Sequence, residues 1–264
     1  MLGLDNNLAR GGVLSSGFEN NYSVDFDGST NYLNTQNTFQ TIIRSGIFSI
    51  GCWIKPDDGI PAGANYFFGC RDADSPASVI SGFVETGMFP GYIQVHFNIG
   101  GNQAIWQSAN AVFSDGAVSD YVHIVAVFDG SLGEEQIYCY KDGVSLGAHG
   151  VFDGDTSSLT TGDYTSSQPL YFGAYNNNGT PGDWYDGHID EMSVWAKTLS
   201  QAECETLYNS GNGPIDLNGA SAPSKLEGWY RVEEGTGTTV NDSSDNGVAG
   251  VLSHDDFYST TVPG

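Results

Sequence analysis

Along most of the chain, apolar and polar positions alternate with a period of two. The runs "FSIGCWIKPDDG" (48–59), "GYIQVHFNIG" (91–100), "YVHIVAVFDGS" (121–131) and "EQIYCYKDGVSLG" (135–147) carry that pattern and end in glycine-containing turn signals. Successive side chains on a strand face opposite ways, so such runs predict strands with one face on a core. "YSVDFDGS" (22–29), "NYFFGC" (65–70), "AIWQSANAVF" (104–113), "PLYFGAY" (169–175) and "HIDEMSVWA" (188–196) extend the series. Phe-Asp-Gly recurs at Phe26, Phe128 and Phe152 with irregular spacing, which marks strand-end turns rather than a solenoid repeat.

One segment breaks the period. In "LSQAECETLYNSG" (199–211), Ser200 is a natural N-cap and Glu203 completes a capping box. Cys204, Leu207 and Tyr208 then form an apolar stripe, and Gly211 supplies the stop. Residues 210–224 read as a turn-rich connection, and 226–252 as a strand, a loop and a short strand.

Composition adds limits to that picture. A 264-residue chain that is 39% hydrophobic and rich in Gly, Tyr and Phe suits one all-β domain with a sizeable core. Residues 1–20 read as an N-terminal arm and 21–264 as the domain. The 32 acidic against 8 basic residues leave a formal charge of −24, which repels phosphate backbones and argues against nucleic acid or an anionic membrane as partner. Solubility, a salty setting or carboxylates holding a hard cation would each account for that charge. No run approaches the roughly 20 apolar residues of a membrane span, and the opening residues lack the basic and apolar regions of a Sec-type signal. Cys52, Cys70, Cys139 and Cys204 lack zinc-ligand spacing and read as small buried hydrophobes.

The densest chemistry is "YDGHIDEMSVW" (185–195), with Asp190 and Glu191 adjacent. A retaining glycosidase needs two carboxyls about 5–5.5 Å apart on one side of the sugar. Strand alternation places Asp190 with His188, Met192 and Val194, and Glu191 with Ile189, Ser193 and Trp195. The two acids are therefore expected on opposite faces, without a carboxylate partner at i+2 or i+4. None of His96, His123, His149, His188 or His254 has metal-ligand spacing, and no serine elbow, phosphate loop or dinucleotide fingerprint is present.

Taken in order, "VDFDGSTNYL", "FSIGCWIKPD", "YVHIVAVFDGSLGEEQIYCYKDGVSLG", "LYFGA" and "YDGHIDEMSVWAKTLSQAECETLYNSG" resemble the laminin-G-like (LamG-like), concanavalin A-like jelly-roll family. The resemblance implies an all-β sandwich of two antiparallel sheets with one short helix. It departs from the family in one place: "GWYRVEEGTGTTVNDSSDNGVAGVL", which usually opens the domain, lies at 228–252. Residues 226–252 are thus expected to supply the missing first strand by circular permutation, with strand exchange between subunits and an appended hairpin as alternatives. The family also implies a structural Ca²⁺ held by Asp190 with the Asp27–Gly28 turn, and reads His123 as structural.

A lectin-like ligand surface is expected on rim loops, from Asp72, Trp106, Asn176, Asn177, Asp183 and Trp184. The arm and single domain further resemble structural proteins of marine phages. That resemblance implies a non-enzymatic virion decoration or fibre protein, made in a host cytoplasm, whose partners are other virion proteins, copies of itself in a homo-oligomer, and surface glycans. The alternatives are a soluble or extracellular carbohydrate-binding module and, behind it, a divergent glycoside hydrolase.

Overall fold

The computed structural model describes residues 18–63, 65–73, 78–99, 102–132, 136–151 and 164–264. Its strands are β1 (Ser23–Asp27), β2 (Leu33–Asn34), β3 (Ile47–Pro56), β4 (Asn65–Asp72), β5 (Ser78–Val84), β6 (Ile93–Ile99) and β7 (Asn102–Ser108). They continue with β8 (Val122–Asp129), β9 (Ile137–Lys141), β10 (Val144–Ser145), β11 (Ala148–Val151), β12 (Tyr171–Phe172), β13 (Tyr175–Asn177) and β14 (Thr180–Gly182). The last are β15 (Asp186–Trp195), β16 (Leu226–Tyr230), β17 (Thr239–Val240), β18 (Gly250–Leu252) and β19 (Tyr258–Ser259). Helices are α1 (Gln40–Ser45) and α2 (Gln201–Tyr208).

Among the described residues these strands form two sheets. One runs β10-β9-β8-β3-β15-β1-β19, with β16 also on β15; the other runs β11-β7-β6-β5-β4-β12-β2-β18-β17. Pairing is antiparallel throughout except for β13, which runs parallel to β4. The inner faces meet in one core. Phe48 stacks on Phe128 at 4.2 Å, and both meet Phe97 of the opposite sheet edge-on at 6.2 and 5.7 Å. Fully burying each such ring contributes about 1.5–3 kcal/mol. All four cysteines are buried and unpaired. The expected jelly-roll sandwich is what the chain forms.

Helix α2 covers the outer face of the first sheet, where Cys204 and Leu207 meet Val125, Val127, Tyr140 and Trp195. Its capping box is formed: Glu203 N–H donates to Ser200 Oγ, and Ser200 N–H to Glu203 Oε2. The stop differs from expectation. Asn209, in the left-handed region at φ 53°, ends the helix, and Gly211 lies in the 3₁₀ turn that follows. A second helix, α1, was not foreseen; no side chain caps its N-terminus. Among the described residues no helix is long and apolar enough to cross a membrane. The turn expected at Phe152 lies outside the described residues, as do residues 1–17 of the arm.

Residues 226–252 join both sheets of the same molecule. The second edge of β15 is divided between two partners: Asp186–Ile189 face β1, and Met192–Trp195 face β16. Farther on, β18 pairs with β2 in the other sheet. At the changeover on β15 the register against β3 slips between Asp190 and Ser193, and Glu191 takes φ 50°. Ile189 and Met192 both stay in the core, so two residues lie between them where alternation allows one. The expectation that Asp190 and Glu191 face opposite ways is corrected by this bulge, which turns both away from the core.

Candidate functional site

At the rim of the sandwich, residues 183–186 lead into β15, and neighbouring loops pin them. Tyr185 is fully buried edge-on to Phe26, so Trp184 and Asp186 on either side of it face outward. Tyr185 N–H donates to Gly173 O at 2.9 Å, and its own carbonyl accepts from Gly28 N–H at 2.9 Å. Asp186 N–H donates to Asn65 Oδ1 at 2.8 Å, while Asp186 O accepts from Asp57 N–H at 3.1 Å. Gly28 is required where it stands. Its φ is 67°, and a Cβ there would lie 3.0 Å from Asp186 Cβ.

Asp27, Gly28, Asn65, Asp183, Trp184 and Asp186 line a cavity of about 370 Å³ together with Pro61–Gly63. Trp184 is half-buried, tilted against Tyr32 at 6.0 Å, and Tyr32 stacks on Tyr171 at 4.6 Å. Asn65 is only 1% exposed. Because its Oδ1 accepts from Asp186 N–H, its Nδ2 must be a donor, and that donor has no partner. An adjoining cavity of about 440 Å³ shares Asp27 and Asp186 as a wall and adds Asp25, Asp57 and Asp256.

The two shared carboxylates differ electrically. Partial burial works against the charge of Asp27, but N–H and O–H bonds from Thr30 and Ser29 outweigh it and hold the carboxyl well below its usual range. Asp186 is shifted the other way, by burial first and then by the charges of Asp57, Asp25, Asp27 and Asp58.

The calcium set does not assemble. Asp27 stands opposite Asp186 in the ladder, and Asp190 lies four residues farther along β15, about 13 Å at strand rise. Asp27 is committed to its own turn. Asp190, fully buried, accepts Asn20 Nδ2 at 3.0 Å and Glu191 N–H at 2.8 Å. Glu191 accepts Trp229 Nε1–H and, at 3.4 Å, Arg231 Nε–H. Burial, then the Glu191 charge, pushes the Asp190 carboxyl well up. Burial raises Glu191 to about 8 against the pull of Arg231. This pair clamps the changeover on β15, beneath Phe18 and Asn20; Arg231 lies 4.2 Å from the Phe18 ring centroid and 5.2 Å from that of Trp229.

Of the expected ligand residues, Asp183 and Trp184 come together in the cleft, and Asn177 is exposed on the β13–β14 hairpin. Three expectations are corrected. Trp106 is a core residue at 4% exposure, because its place on β7 faces inward. Asp72 is buried and accepts from Ser167 N–H and Oγ–H. Asn176 is buried, donating to Pro169 O and accepting from Gly179 N–H. All three polar or aromatic groups are spent inside the fold. Sequence reasoning missed Asn65 and Asp186. Each sits at the first residue of a strand, where a polar residue reads as a boundary and only the tertiary fold shows what it faces.

The family described as the concanavalin A-like lectin/glucanases superfamily matches residues 27–205, two thirds of the chain. The chain belongs to this superfamily. A candidate carbohydrate-binding protein from Bacteroides ovatus superposes with TM-score 0.60 at 14% identity, covering 93% of this chain and 62% of its own. A heptameric SAP-like pentraxin from Limulus polyphemus gives 0.51 at 13% identity, over 89% of this chain and 97% of its own. The CBM40 of a Ruminococcus gnavus IT-sialidase, bound to α2,3-sialyllactose, gives 0.51 at 12% identity, over 69% of this chain and 94% of its own. At these identities the likeness shows the fold alone. The chain matches no curated protein by sequence.

Proposed function

We propose that this lectin/glucanase-superfamily domain is a glycan-binding module without catalytic activity, and that its ligand enters the cleft at Trp184. One observation carries the reading: the cleft joins an aromatic side chain, outward carboxylates and a buried amide donor with no partner. Saccharides present apolar C–H faces and many hydroxyls, which suit those three groups. An unpartnered buried donor costs about 1–3 kcal/mol, a cost that a ligand oxygen would relieve. Supporting binding over cleavage, Asp190 and Glu191 are buried and already accept hydrogen bonds from the chain itself. The carbohydrate-binding descriptions of the Bacteroides and Ruminococcus relatives agree with this direction.

The finer reading, a virion component that uses the domain for adhesion, adds an assembly role to the same binding. It rests on the N-terminal arm, of which residues 1–17 lie outside the described structure; stable co-purification with particles would support it. Binding itself is tested on a glycan array with wild type and Trp184→Ala. The expected outcome is a set of hits lost or weakened at least tenfold, about 1.4 kcal/mol, in a variant that melts normally. An unchanged hit pattern would contradict the site.

A further inference from the structure

The two rim cavities are one-signed. Asp25, Asp27, Asp57, Asp183, Asp186 and Asp256 contribute to their walls, and neither is lined by a lysine or arginine. Two imidazoles lie nearby, and burial lowers the pKa of His188. His254 is exposed with its Nδ1 3.3 Å from Ser253 Oγ, and His188 Nε2 stands 3.9 Å from Asp25. A hard metal ion is a poor match for this lining. Asn65, part of the cleft lining, is buried with its oxygen occupied and its Nδ2 donor unpartnered, and among the described residues no group of three acidic, His or Cys side chains converges to hold a metal. The lining asks instead for an organic cation that also carries acceptor oxygens.

We propose that the cleft selects saccharides bearing a protonated amine, with the ammonium against Asp186 and its neighbouring aspartates. The sugar's apolar face lies on Trp184, and a hydroxyl or ring oxygen accepts from Asn65 Nδ2. This assignment rests on the glycan-binding reading above and names its substrate class. Ammonium is a pure donor and the ionised carboxylates are pure acceptors, so their hydrogen bonds are charge-assisted. An aromatic face beside them adds cation–π attraction. The same wall repels carboxylated sugars such as sialic acids and uronic acids, since like charges at short range oppose binding. The cleft is thereby set apart from the sialyllactose-bound CBM40 that shares its fold.

The test is calorimetric titration of the full chain with a glucosamine oligomer, its N-acetylated counterpart and sialyllactose, at low salt near pH 6. The glucosamine oligomer is expected to bind at least about tenfold tighter than the N-acetylated form, a margin that shrinks as salt is added. Sialyllactose is expected not to bind. Asp186→Asn should lower the affinity for the glucosamine oligomer to that for its N-acetylated counterpart. Asp256→Asn, at an exposed position where folding is not at stake, should reduce the margin. Equal affinities for the two oligomers, a margin untouched by both variants, or binding that requires added calcium would overturn the amino-sugar assignment while leaving glycan binding standing. Silence with every saccharide, amine-bearing or not, would instead overturn the glycan-binding reading on which it rests.

Discussion

His123 shows how a single buried residue sets a property of the whole. Its ring lies 5.1 Å from Trp53, its Nδ1 is buried without a partner, and burial lowers its pKa to about 3. Burial likewise brings His96, edge-on to Phe83, down to about 4. Both are neutral when folded, whereas the unfolded chain protonates them near pH 6.5. The folded pKa is depressed, so this stabilisation is complete above about pH 6.5 and is lost as pH falls below it. Each imidazole costs up to about 1.4 kcal/mol per pH unit across that window. The urea midpoint of His123→Phe is therefore expected to rise relative to wild type as pH falls from 7.5 to 5, a comparison that cancels the opposing contribution of the raised Asp190 and Glu191 carboxyls. A midpoint difference that stays constant across that range would count against a neutral buried His123.

At the scale of elements, what the sequence revealed depended on how local its code is. Helix α2 was legible because a capping box and an apolar stripe lie within nine residues. Its stop was misplaced because Asn209, like glycine, enters the left-handed region at modest cost. Helix α1 has no side-chain cap and carries β-branched Thr41, Ile42 and Ile43, so it left no signal. The Asp190–Glu191 bulge was illegible for another reason: it arises where β15 exchanges β1 for β16, a partner 35 or more residues away. We read residues 226–252 as standing in for the strand that usually opens the family's domain. They bury Trp229, Tyr230, Val232, Val240 and Leu252. At about 1.5–3 kcal/mol each, losing those five side chains matches the 5–15 kcal/mol that typically separates folded from unfolded chains. A chain ending at Lys225 is expected to lose cooperative thermal unfolding by circular dichroism. A truncated monomer that melts sharply would mean that the segment is a dispensable hairpin.

For the molecule as a whole, the sandwich was written in period-two alternation and turn signals repeated along the chain, and that redundancy is why it could be read. The cleft was half-legible. Asp183 and Trp184 stood out as aromatic and acidic residues in a loop, but Asn65 and Asp186 gain meaning only when β4 and β15 bring separate stretches to one rim. Trp106, Asp72 and Asn176 failed for the converse reason, since composition does not show whether a polar or aromatic group is already spent inward. The acidity read from composition as a general surface property is concentrated in part at that rim, where it gives the cleft a sign. The central claim, that saccharide binds in this cleft, is tested most directly by following side-chain N–H resonances during titration with a bound oligosaccharide. Binding is predicted to shift the Trp184 indole and the Asn65 amide while the buried Trp195 and Trp229 indoles stay in place. Saturable binding that leaves the Trp184 and Asn65 signals unmoved would contradict it.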